Sequence, residues 1–148
     1  MRTLKSFMIM TGVFLLLGLF TTNAKAEPTY FGEFCWNVVD NHGEVGTMKL
    51  GITHMGGNHY LVQGGLSEAN IYVSGSGLLV GNNVVFSMSG TETLDGVEKP
   101  LKIAATWEVT IDLATMNGTF WILKIEKWVD GSTNTNGGEG TWEYTSCQ

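Results

Sequence analysis

The sequence predicts an all-β domain, an up-and-down antiparallel barrel of about eight strands closed by one disulfide; a β-sandwich is the alternative. Three observations predict it. Turn residues punctuate the chain at short intervals, apolar and polar residues alternate between them, and two cysteines lie near the ends of the region that follows an export signal.

The turns come first. Asn41-His42-Gly43, Gly56-Gly57-Asn58, Gly81-Asn82-Asn83, Asp95-Gly96, Asn117-Gly118, Asp130-Gly131 and Asn136-Gly137 all supply residues that adopt positive φ easily. Between them lie short runs of Val, Ile, Thr and aromatics, the pattern of successive hairpins. The predicted strands are Gly32–Val39, Val45–His54, His59–Leu66, Ile71–Val80, Val84–Thr91, Leu101–Asp112, Thr119–Trp128 and Thr141–Cys147. No stretch carries a helical period, apart from room for one turn at Leu113–Met116.

Alternation assigns the faces. In the sixth strand Leu101, Ile103, Ala105, Trp107, Val109 and Ile111 share one face, and Lys102, Thr106, Glu108, Thr110 and Asp112 the other. Strict alternation means one buried face and one wet face. The same reading places Phe34, Trp36 and Val38 inward in the first strand, and Met48, Leu50 and Ile52 in the second. It places Trp121, Leu123 and Ile125 inward in the seventh, and Trp142 with Tyr144 in the last. A meander this long buries its apolar face by curling into a barrel. A sandwich needs longer Greek-key crossings than most connections here provide.

Residues 1–26 read as a cleaved secretory signal peptide, with Arg2 and Lys5, an apolar run from Phe7 to Phe20 and Ala24-Lys25-Ala26. The apolar run falls short of the ~20 residues that span a bilayer comfortably. Residues 27–148 then form a single β-barrel domain. Cleavage removes Arg2, Lys5 and Lys25, leaving five lysines against fourteen acidic residues and a formal net charge of −9. Such a chain repels phosphate backbones and anionic membranes, which argues against nucleic-acid partners and membrane insertion. An outer-membrane barrel would further force Lys102, Glu108, Asp112, Lys124 and Glu126 into a narrow lumen. The expected location is periplasmic or extracellular.

In an oxidising compartment Cys35 and Cys147 read as a disulfide; metal ligation or a thiol nucleophile would want a CxxC or a paired His. In a closed meander the start of the first strand lies beside the end of the last, where these cysteines sit. The bond would stabilise the barrel by about 2–4 kcal/mol.

Export, small size, a meander of about eight strands and Trp36 in the first strand resemble the calycin group: lipocalins, avidin-like proteins and bacterial barrel-shaped protease inhibitors. Lipocalins carry Gly-x-Trp at the first strand; here Gly32 and Trp36 are four apart, and a Gly-x-Trp occurs as Gly140-Thr141-Trp142 in the last strand. No family binding residue is therefore carried over by position. The resemblance implies an apolar-ligand binder or an inhibitor.

The candidate ligand contacts are the aromatics assigned to the inner face: Trp36, Phe86, Trp107, Trp121, Trp142 and Tyr144. They could hold a small apolar or aromatic molecule or fill the core. Gly64, Gly65, Gly75 and Gly77 leave room for a ligand or permit sharp bends. His54 and His59, with Met55, are weak metal candidates lacking a third strong ligand; no metal or other cofactor is expected. Glu108, Asp112 and Glu126 read as outward acids, with Lys124 and Lys127 nearby for surface pairing, so no catalytic set assembles.

The first functional expectation is therefore an exported, non-enzymatic binding protein. The second is a periplasmic protease inhibitor using Glu27–Phe31 ahead of the first strand, and the third a structural or interaction barrel with a filled core. Gly131–Gly140 reads as a flexible loop suited to a lid or contact surface. Asn117-Gly118-Thr119 is a formal glycosylation sequon that a tight turn explains equally.

Overall fold

A computed structural model describes residues 27–41, 43–67, 71–93 and 102–147. The predicted signal peptide and His42 lie outside the described residues. The strands are β1 (Thr29–Asp40), β2 (Gly43–Gly56), β3 (His59–Leu66), β4 (Ile71–Val80), β5 (Asn83–Thr93), β6 (Lys102–Asp112), β7 (Gly118–Lys127) and β8 (Thr133–Thr145). Each pairs antiparallel with the next and β8 returns to β1, giving a closed eight-stranded up-and-down barrel. The sandwich alternative is ruled out by that closure.

The seam is shorter than the other ladders. It runs from Cys35↔Thr145 to Asp40↔Gly140 and includes Trp36↔Tyr144 and Val38↔Trp142. Cys35 and Cys147 are bonded just beyond its end, with Cα atoms 5.2 Å apart. The bond sits where the seam stops and holds the two chain ends of the barrel together.

Inward residues form one core. Trp36, Val38, Met48, Leu50, Ile52, Val62, Leu66, Val73, Val84, Phe86, Met88, Trp107, Val109, Ile111, Phe120, Ile122 and Trp142 are buried together. The alternation of β1, β2 and, from Lys102 onward, β6 holds, while Leu101 and the Asp95-Gly96 turn lie outside the described residues. In β7 the face assignment is reversed: Phe120 and Ile122 are buried, while Trp121 and Ile125 are each 48% exposed. The segment Phe120-Trp121-Ile122-Leu123 is apolar at every position, so alternation could not choose a face; pairing of Trp107 with Ile122 does. Glu126 consequently shares the parity of Phe120 and Ile122, and only Glu108 and Asp112 of the three predicted outward acids follow the outer parity.

β8 begins at Thr133, so Thr133–Gly140 is a strand and not a loop. It pairs with β7 from Lys127↔Thr133 through Phe120↔Gly140. Polar Thr and Asn suit this stretch because the Thr133–Glu139 part has no β1 neighbour on its other side. β1 likewise starts at Thr29, leaving Glu27 and Pro28 ahead of it among the described residues.

Three of the noted glycines mark close strand approach. A Cβ on Gly64 would collide with the Lys49 carbonyl oxygen, one on Gly65 with the Ile71 carbonyl oxygen, and one on Gly75 with the Ser87 carbonyl oxygen. Gly77 instead admits the Phe86 ring, 2.5 Å from where its Cβ would stand. These positions tighten the barrel and are filled by neighbours; they do not open space for a ligand.

Candidate functional site

The barrel has two unlike halves. Around Met48, Leu50, Val73, Met88 and Val109 the interior is solid, with these side chains almost wholly buried. Toward the end where β1 starts, an apolar cavity of about 260 Å³ remains. It is lined by Phe31, Phe34, Trp36, Ile52, Tyr60, Val84, Phe86, Ile111, Leu113 and Met116.

A bulge in β1 supplies the first wall. Its register shifts between Tyr30 and Gly32, and Gly32 has φ 123°. The extra residue changes the parity, so that Phe31 joins Phe34 and Trp36 inward while Tyr30 turns out over Gly51. Phe31 then stacks on His54 (ring centroids 5.7 Å apart) and meets Tyr60 edge-on at 6.2 Å. His54 is further held by a 2.9 Å hydrogen bond between Nε2 and the Gly57 carbonyl oxygen.

The β6–β7 turn supplies the opposite wall. The Met116 N–H donates to the Asp112 carbonyl oxygen at 2.7 Å, a single helical turn where the sequence left room for one. The Ala114 N–H donates to Asp112 Oδ1 at 2.7 Å. Met116 takes a left-handed φ of 60°, and its carbonyl oxygen accepts the Trp36 indole N–H at 2.7 Å. The Tyr144 N–H donates to Asn117 Oδ1 at 2.8 Å, so the sequon asparagine ties this turn to β8. The Leu113 N–H donates to the Asn82 carbonyl oxygen, linking the neighbouring β4–β5 turn. The mouth is thus assembled from turns fastened to one another.

Of the six aromatics predicted to touch a ligand, Trp36 and Phe86 line the cavity. Trp107 and Trp142 face inward but belong to the packed region. Trp142 is fully buried, its ring 5.5 Å from Trp36, and its indole nitrogen has no hydrogen-bond partner among the described residues. Tyr144 shares the inward parity at the rim, 49% exposed, with its ring 6.2 Å from Trp36. Trp121 is on the outside, away from the cavity. Tyr60 follows the inward parity of Val62 and Leu66 in β3, the signal that could have found it. Phe31, Leu113 and Met116 are placed by a bulge and a turn, to which alternation is blind.

The lining carries no carboxylate, ammonium, imidazole or thiol; Tyr60 contributes a hydroxyl. Its chemistry is burial and shape, with an uncharged occupant favoured because an unpaired charge would lose its hydration there. The buried acid of the described residues, Glu92, lies at the far end of β5, away from the cavity. His54 and His59 belong to no cluster of three or more His, Cys, Asp or Glu able to hold a metal among the described residues. Comparison with protein-family models, curated proteins and solved structures found no match to the chain.

Proposed function

We propose that the protein is an exported, calycin-like binding barrel that holds a small, uncharged aromatic or apolar molecule at its mouth, without catalysis. The observation carrying this reading is the cavity of about 260 Å³ walled by Phe31, Phe34, Trp36, Tyr60 and Phe86 above a solid core. An apolar cavity of about 150 Å³ stays dry and admits benzene. The larger volume here suits a molecule of roughly one or two rings or a short branched chain. Burial drives capture at about 25 cal/mol per Å² of apolar surface, less the cost of immobilising the ligand.

The Cys35–Cys147 bond is compatible with the oxidising compartment that the sequence predicts. The membrane-facing reading gains no support from the described residues, where no helix is long and apolar enough to cross a bilayer; that leaves barrels untouched. What disfavours a membrane barrel is its filled apolar interior.

The test is native mass spectrometry of protein taken from its producing cells, joined to fluorescence titration with naphthalene and naphthalene-2-carboxylate. A co-purifying neutral molecule or saturable binding of naphthalene, with the carboxylate much weaker, is the expected result. Absence of both carried-over ligand and saturable uptake defeats the reading.

A further inference from the structure

The outer face of β7 poses a separate question. Three successive outward side chains, Trp121, Leu123 and Ile125, form an apolar ridge. Their cross-strand neighbours are small along most of it: Thr106 and Gly137 beside Leu123, Ala104 and Thr135 beside Ile125. Single exposed apolar residues are ordinary, but a strand apolar on both faces is one built for cover on both.

The charges at the two ends of the ridge are of opposite sign. At one end Trp121 lies in register between Glu108 on β6 and Glu139 on β8. At the other, Lys102 pairs across from Lys127. All four charged residues are exposed, and the ion pair found among the described residues, Lys49–Glu33, involves none of them. Like charges set directly opposite one another destabilise a ladder. The paired lysines therefore gain from carboxylates supplied by another molecule.

We propose that this face is the contact between two copies of the chain, packed with their β7 strands antiparallel about a two-fold axis between Leu123 and Ile125. Six residues, about 20 Å of strand, separate the rows of Trp121 and Lys127. The two-fold places Trp121 over Lys127 of the partner subunit and Glu108 over Lys102 of the partner subunit, each twice. Leu123 meets Ile125 of the partner subunit at the centre. Lysine over an indole face is a favourable cation–π contact, and sheets stack nearly aligned at about 30°. A parallel arrangement would set Glu108 against Glu139 of the partner subunit, twice. The chain as a whole is acidic, with net charge −6, so random faces repel; here acids and lysines balance. Self-complementarity of this kind is what an isologous dimer requires. This inference does not rest on the cavity reading, because the cavity opens elsewhere.

Sedimentation and light scattering of the purified, disulfide-intact protein, from low micromolar to submillimolar, test it. The wild type should dimerise reversibly. Ile125→Glu should weaken association at least tenfold with the circular dichroism spectrum unchanged. E108K alone and K102E alone should each be monomeric, whereas mixing the two should yield a heterodimer and the E108K/K102E double variant a homodimer. A wild type that stays monomeric throughout overturns the proposal. So does a dimer indifferent to Ile125→Glu, or a charge exchange that restores nothing.

Discussion

The Trp36 indole nitrogen donates to the Met116 carbonyl oxygen at 2.7 Å across 80 residues of chain. The bond joins β1 to the β6–β7 turn, and with it the two walls of the cavity. Met116 adopts its left-handed φ of 60° in that turn, so the contact also holds a backbone that a non-glycine residue seldom visits.

Trp36→Phe should therefore act on site and fold together. It keeps an aromatic ring but strands the Met116 carbonyl, at a cost of about 1–2 kcal/mol. Urea unfolding should show a lower midpoint with little change in slope. Naphthalene binding should weaken more than that stability loss alone explains, because Met116 and Leu113 lose their anchor. An unchanged midpoint would mean that the turn holds itself.

Gly32 is the backbone device that brings Phe31 into the mouth. At φ 123° a side chain is strained, although a Cβ there would meet nothing within 4 Å. Gly32→Ala should cost about 1–3 kcal/mol through backbone strain alone. Because the strain is relieved by undoing the bulge, the Phe31–His54 stack should be lost as well, visible as shifts of the His54 ring protons in NMR spectra. Retention of the stack with full stability would contradict this role.

The seam prediction concerns Cys35 and Cys147, separated by 112 residues in sequence. Cross-linking so long a loop restricts the unfolded chain strongly, worth about 5 kcal/mol in the loop-entropy description. The Cys35→Ala/Cys147→Ala protein should be less stable by about that much, with hydrogen exchange quickening first at the β1–β8 ladder. A loss below about 1 kcal/mol would show that the seam hydrogen bonds and the Trp36, Val38 and Trp142 packing suffice.

The parts legible in the sequence are those that local chemistry decides. His59–Leu66 and Ile71–Val80 coincide with β3 and β4 because turn residues bracket them on both sides. The strict alternation of β6 fixed its face, and the cysteine positions required closure. β7 was not legible, since apolar residues on both faces erase the alternation that assigns inside and outside. The start of β8 was hidden because an edge strand of Thr, Asn and Gly has the composition of a loop. The cavity wall was half hidden for a related reason. Trp36 and Phe86 follow strand parity, but Phe31, Leu113 and Met116 depend on a bulge and a turn whose geometry is set by partners far away in sequence.

That division gives a last prediction, which separates cavity residues from other aromatics. Phe31→Ala removes a wall, so naphthalene affinity should fall about tenfold, a change of about 1.4 kcal/mol. Trp121→Phe touches the outer face alone and should leave affinity unchanged. Trp107→Phe alters the packed core, so it should lower stability by about 1–3 kcal/mol while binding at a temperature well below unfolding changes little. Tyr60→Phe keeps the ring and should preserve the affinity for naphthalene but reduce that for 2-naphthol, if the Tyr60 hydroxyl meets a polar end of the ligand. Isothermal titration of the four variants against both probes checks the set. Equal losses for Phe31→Ala and Trp121→Phe would place the ligand on the outer face and remove the mouth cavity from consideration.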